Sequence, residues 1–377
     1  MKKWKTLRGS ELSEFAATAR AQALGADFAL HVAKYGTQQD YHTFLNTSTT
    51  PLDTCTEYFL AWPSASSAWL ISHLKTSKDP YSHLNAAHHI LANVETLAEE
   101  NCDPYEILAC VDFANIPEDE NIGMFHALVY AAAFDVIRDH WGVYEKAIQN
   151  NVAENVIFAA QWGLDIRTRV NWAPATPGET HAYFTACCRG GLLSRVKELS
   201  IGPQERQLLR KSFVLSTPNP YAHEVLEHLW EAYPDTYWHQ EELILRSACK
   251  IAQPLRQKVI EHFVKQSPAL AQQILTELAC GAVSSRNKDI YKSVFSYIPV
   301  ENYSQLLRTA IDHRSKTVLK QLLQHSKTSK LFNKVLGETE PTNHCWALEV
   351  LAQVQNKTLT QSVGMKKGTS PVSRRKI

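Results

Sequence analysis

The sequence predicts an all-α protein built as a solenoid-like array of stacked short helix pairs. Apolar residues recur at helical spacing along most of the chain. Small residues that suit a tightly packed helix return at intervals of about 25 to 45 residues, mostly near 30. Only 14 residues are Gly, and no Asn-Gly or Asp-Gly hairpin signal joins an alternating strand pattern.

The apolar faces are read in chain order. Leu192, Val196 and Leu199 share one helical face. Val225, Leu226, Leu229 and Trp230 share the next. Val259, Phe263 and Val264 follow, and then Val318, Leu319, Leu322 and Leu323. Helix starts punctuate these faces. Thr50-Pro51-Leu52-Asp53, Asp103-Pro104-Tyr105-Glu106 and Thr176-Pro177-Gly178-Glu179 each supply an N-cap oxygen, a first-turn Pro and an acid. The missing Pro N–H costs nothing there, because the first helical amides have no intrahelical acceptor. The acid favours the positive end of the helix dipole. Asp79-Pro80, Pro203 and Ser267-Pro268 mark further starts. The small inner-helix positions are read as Ala33, Ala61, Ala87, Ala132 and Ala160, then Ala186, Ser212, Ala248, Ala279 and Ala310. In three places a small residue precedes Gly by three: Ala33 before Gly36, Ala160 before Gly163 and Cys188 before Gly191. Gly in the left-handed region can stop each of these helices.

Phe184 to Leu199 holds the whole pattern. Cys187 and Cys188 occupy paired small positions, Gly191 stops the helix, and Val196 and Leu199 open the next apolar face. This stretch resembles the ankyrin-repeat family, whose inner helix reads Leu-His-x-Ala-Ala-x-x-Gly and whose outer helix reads Val-Val-x-x-Leu-Leu. Ala29 to Ala33, Met124 to Ile137 and Leu307 to Leu323 echo it. The resemblance implies stacked helix pairs with an elongated concave surface, and a structural, bridging role for His31 and His126. The chain departs from the family in lacking most Thr-Pro openings and the Asp-Gly turn.

Composition limits the function classes. Hydrophobic residues are 44% and charged residues 20%, enough for a substantial core. Lys+Arg number 39 against 38 Asp+Glu, which opposes a dedicated nucleic-acid binder. The eight cysteines are scattered without a CxxC pair, as expected for small buried thiols in a reducing compartment. The basic start Met1 to Lys5 leads into a polar stretch rather than the apolar core of a signal peptide, and no window approaches ~18 uninterrupted apolar residues. These features predict a cytoplasmic protein, or one exported into a host cell without an N-terminal signal.

The motifs that suggest chemistry are weak. His223-Glu224-Val225-Leu226-Glu227-His228 has its histidines five apart, about 140° around a helix, where zincins need four. No Walker loop, Gly-x-Gly-x-x-Gly or Gly-x-Ser-x-Gly is present. We therefore expect no catalytic residue, metal ligand or cofactor. Tyr233-Pro234-Asp235-Thr236-Tyr237-Trp238-His239 reads as an aromatic loop, and Tyr233, Tyr237 and Trp238 are the expected partner-binding residues.

The expected organisation is a helical N-terminal region with weak repeats over 1–150, a repeat region over 151–355 and a basic disordered tail over 356–377. The expected function is a protein–protein interaction scaffold or adaptor, with a bacterial effector acting on host proteins as its sharper form. An enzyme with an active site in the N-terminal half, within residues 90–150 that fit the repeat worst, is the first alternative. An RNA-binding helical repeat is the second.

Overall fold

A computed structural model describes residues 6–18, 80–99, 103–199, 201–202 and 204–367, together with isolated positions between 21 and 78. All regular secondary structure among the described residues is helical. Ala33, Gly36, Ala61, Pro203, Asp79, two of the cysteines (Cys55 and Cys102) and the Thr50–Asp53 start lie outside the described residues. Contacts divide the chain into two units, Met1–Cys187 and Cys188–Ile377.

The first unit holds α1 (Gly9–Ala16), α2 (Pro80–Ala92), α3 (Val94–Glu99), α4 (Pro104–Leu108), α5 (Asn121–Tyr130) and α6 (Phe134–Asp139). It continues with α7 (Trp141–Gln149), α8 (Val152–Gln161) and α9 (Pro177–Gly190), within which the division falls. Asp103 caps α4 by accepting the Tyr105 amide at 2.9 Å. At α9, Thr176 Oγ1 accepts the Glu179 amide at 3.2 Å, and Glu179 Oε2 returns to the Ala175 amide at 2.7 Å. Both starts read from sequence are realised, and each satisfies donors the helix itself cannot. Ser267 caps nothing through its side chain; its hydroxyl donates to the His239 carbonyl at 3.4 Å.

The second unit holds α10 (Leu193–Glu198), α11 (Arg206–Ser216), α12 (His223–Ala232), α13 (Glu242–Ala248) and α14 (Leu255–Gln266). It ends with α15 (Pro268–Ser284), α16 (Lys288–Phe295), α17 (Tyr303–Asp312), α18 (Lys316–Leu323), α19 (Ser326–Gly337) and α20 (His344–Lys367). α20 runs through the first part of the expected tail as far as Lys367, and the remainder of the tail lies outside the described residues.

One turn recurs. After α5, α8, α9, α15 and α17 the chain places a single residue in the left-handed region: Ala132 (φ 55), Gly163 (φ 91), Gly191 (φ 78), Arg286 (φ 59) and Arg314 (φ 49). This lets the following amide reach back five residues. Ala133 donates to Leu128, Leu164 to Ala159, Asn287 to Ala282 and Ser315 to Ala310, all within 2.8 to 3.0 Å. Carbonyls left open at the helix end are thereby satisfied. Ala132 is thus a turn residue, not the inner-helix position expected for it, because α5 already ends at Tyr130.

The remaining described small positions are core. Ala87, Ala160, Ala186, Ser212, Ala248, Ala279 and Ala310 are all buried, as are both Cys187 and Cys188. Adjacent residues point to different sides of a helix, so two consecutive buried thiols mean that α9 is covered on more than one side. Large side chains there would hold its neighbours away. On α18, all of Val318, Leu319, Leu322 and Leu323 are buried, each contributing about 1.5–3 kcal/mol.

Several side chains within each unit join residues about 30 positions apart. His83 Nδ1 accepts the Asp112 amide, and His126 Nε2 donates to Asn155 Oδ1, both at a separation of 29. Asn219 donates to the Arg189 carbonyl, Arg210 to Glu241, and Arg246 to Glu277, at separations of 30, 31 and 31. Arg308 reaches the Glu338 carbonyl and Arg314 reaches Asn343, at 30 and 29. His126 thus joins α5 to α8.

Candidate functional site

The expected aromatic loop follows α12. It forms two 3-10 turns, Pro234–Thr236 and Trp238–Gln240, with Tyr237 between them at φ 51. Its fixed geometry comes from Arg210 on α11. The guanidinium donates to the Thr236 carbonyl from Nη2 at 2.6 Å and from Nε at 3.1 Å, and to the Tyr237 carbonyl at 3.0 Å. It also pairs with Glu241 at 2.9 Å.

The loop's three aromatic residues separate. Trp238 is 1% exposed, stacked on Trp230 with centroids 5.5 Å apart and tilted on Phe213 at 5.3 Å. It is a core residue and not the surface anchor expected, because the turn aims the indole inward beneath α11 and α12. Its Nε1 has no hydrogen-bond partner. Tyr233 is half-buried and packs edge-on to His228 at 6.3 Å; burial raises its hydroxyl pKa, with Cys188 adding to the effect. Tyr237 alone stays at the surface, 43% exposed, with the Arg206 guanidinium 4.5 Å from its ring centroid.

Below this loop lies a set of imidazoles. His239 and His262 have centroids 5.6 Å apart, and Trp230 meets His262 edge-on at 5.3 Å. Burial lowers the His262 pKa, and His239 and Lys265 lower it further. On α12, His223 Nε2 lies 3.6 Å from Glu227, so this part of the His-Glu run is a side-chain pair along one helix. Among the described residues no group of three or more His, Cys, Asp or Glu side chains is placed to hold a metal ion.

Residues 90–150, proposed from sequence as the place for an active site, surround a cavity of about 380 Å³. Of its lining residues only Glu118 and Lys146 ionise, and they form an ion pair with each other at the surface. That pair lowers the Glu118 pKa and raises that of Lys146. Each group thus satisfies the other, and no nucleophile lines the cavity beside them.

The exposed aromatic pair that the sequence reading missed is Tyr130 with Trp162. Tyr130 ends α5 and Trp162 follows α8; they are 67% and 38% exposed with centroids 4.7 Å apart. The signal was present, since Trp162 stands just before Gly163 at a turn, where a side chain has left the helix–helix packing. Among the described residues no helix is long and apolar enough to cross a membrane. No protein-family model, no curated protein and no solved structure matches the chain.

Proposed function

We propose that the chain is a protein–protein interaction scaffold, a solenoid of helix pairs resembling divergent ankyrin repeats. The observation that carries this reading is the ladder of side-chain hydrogen bonds at separations of 29 to 31. A recurring separation of this kind is what stacked repeats require, because each unit buries its apolar face only against the next. The left-handed turns at 132, 163, 191, 286 and 314 support the same period. Such an array offers an extended surface for recognition without covalent chemistry.

Tyr130 and Trp162 are the anchors in this reading. Large exposed aromatic residues bury much area on binding at little entropic cost, and hot spots are rich in them. Affinity capture with the full chain, compared with Tyr130→Ser/Trp162→Ser, tests it. Proteins retained by the native chain and lost from a folded double variant support the reading; identical retention by both overturns it. The reading extends to an effector acting on host proteins. A translocation reporter on the chain with and without residues 356–377 tests that extension, and equal translocation removes a C-terminal signal.

A further inference from the structure

The near-zero net charge conceals a basic segment. Between residues 286 and 334 the chain carries ten Lys and Arg against three Asp and Glu. Part of this excess converges on a cavity of about 230 Å³ between the α15–α16 turn and the α17–α18 turn. Its rim holds Arg286, Lys288, Lys292, His313 and Arg314, and its lining includes no acid. Its floor is apolar, with Ala282, Val283 and Val318. Tyr291 also lines it, 4% exposed, with a hydroxyl that has no hydrogen-bond partner.

The two arginines differ in a way that points to a ligand. Arg314 is tied into the fold through Nε to Asn343 Oδ1 at 2.8 Å and Nη2 to the Thr342 carbonyl at 3.2 Å. Among the described residues the side chains of Arg286, Lys288 and Lys292 make no hydrogen bond or ion pair. Arg286 also holds a left-handed backbone, φ 59, that Gly would adopt without strain. A strained position bearing an unpaired cation, beside two more, gains nothing for the fold from its charge. The left-handed backbone closes the end of α15, so it is the uncommitted charge, carried beside a cavity, that points to a ligand.

We propose that this cavity binds a phosphate monoester carried on a peptide segment of a partner protein. Four rim cations, Arg286, Lys288, Lys292 and Arg314, match a group carrying about −1.5 to −2 charge better than a single carboxylate. Guanidinium and ammonium donors on two successive turns can reach several phosphate oxygens at once. The apolar floor suits the hydrocarbon part of the phosphorylated residue. Single-stranded RNA is disfavoured because the aromatic ring in the lining is buried and offers no face for a base to stack on. This inference rests on the scaffold reading for its partner, but the anion site can be tested without any partner.

The test uses the full chain at low salt with four probes: inorganic phosphate, O-phosphoserine, a phosphoserine peptide library with its unphosphorylated counterpart, and a short single-stranded RNA. Binding is read by calorimetry and fluorescence anisotropy. Saturable binding of O-phosphoserine and of phosphopeptides is expected, weakened about tenfold by Lys292→Gln and by Arg286→Asn, since a charge-assisted hydrogen bond contributes on that scale. Asn suits the left-handed backbone, so the second variant keeps its fold. Lys258→Gln, remote on α14 and paired with Glu231, should bind as the native chain does. Equal binding of phosphorylated and unphosphorylated peptides, equal binding by the rim variants, or binding of RNA alone would overturn the proposal. Binding of inorganic phosphate without any preference for phosphopeptides would overturn the peptide assignment. Loss of partner capture on substituting Tyr130 and Trp162 is read separately, so failure here leaves the scaffold reading to its own experiment.

Discussion

Gly191 is closely approached by the backbone of Tyr221, and its replacement gives a sharp test of that packing. The residue follows α9 at φ 78, and a Cβ built on it would lie 2.5 Å from the Tyr221 carbonyl oxygen and 3.0 Å from its carbon. Both are backbone atoms, so no rotamer relieves the clash. Three terms fix the size of the effect for Gly191→Ala. The left-handed backbone costs about 1–2 kcal/mol for a residue with a Cβ. Forcing one atom into a packed site costs about 1–3 kcal/mol. The less flexible unfolded chain returns about 0.4–1 kcal/mol. A net loss of roughly 2–4 kcal/mol follows, a fall of about 5–15 °C in Tm for a unit of this size. Ala132→Gly is the control, with the same turn and the opposite sign: the strain is released, the entropy term opposes it, and stability changes by less than about 1 kcal/mol. Urea unfolding of both variants, followed by circular dichroism, checks the pair. A Gly191→Ala protein as stable as the native one would refute the close approach of Tyr221 to the end of α9.

Arg210→Met should cost about 2–3 kcal/mol, because the Thr236 and Tyr237 carbonyls lose a charged donor while the aliphatic stem is kept; a shift in tryptophan fluorescence should accompany it as Trp238 loosens, and an unchanged urea midpoint would count against the clamp. Stability should also depend on pH. Burial is the leading cause of the lowered pKa of His88, His228 and His262. Above about pH 6.5 these groups are neutral in both folded and unfolded chains and contribute nothing; below it the unfolded chain takes up protons that the folded one resists, so stability falls as pH drops toward the lowered values. Urea midpoints at pH 7.5 and 5.5 measure this, and His262→Gln should flatten the difference; a midpoint that is level or rises toward pH 5.5 would refute it.

The helical class was legible because it depends on local patterns. The apolar face Val318 to Leu323 and the caps at Asp103 and Thr176 needed only neighbours within one turn. What failed depended on direction in space. Trp238 and Tyr237 are consecutive, yet one is core and the other surface, because a left-handed residue between two 3-10 turns reverses which side faces inward. No period describes such a turn, so aromatic content alone could not separate them. Ala132 was misplaced for the related reason that a left-handed alanine looks like any helical alanine in sequence. The basic cavity was hidden by averaging. Arg286 and Arg314 stand 28 positions apart, and only stacked turns bring them to one rim.

Those two arginines allow a final discrimination between a residue kept for stability and one kept for something else. Each occupies the same position of its own left-handed turn, so replacing either by Gly releases about 1–2 kcal/mol of strain and loses about 0.4–1 kcal/mol to the more flexible unfolded chain. Arg314→Gly also removes the bonds to Asn343 and Thr342, and should destabilise by roughly 1–2 kcal/mol. Arg286→Gly removes no bond, and should leave stability unchanged or raise it by up to about 1 kcal/mol while weakening phosphopeptide binding about tenfold. Urea midpoints and anisotropy on the two variants give both numbers. If Arg286→Gly destabilises as much as Arg314→Gly, the Arg286 side chain supports the fold, and the argument that its charge is kept for a ligand fails. If it stabilises, the native sequence holds a strained cation at the rim at a cost in stability, as sites shaped by binding do.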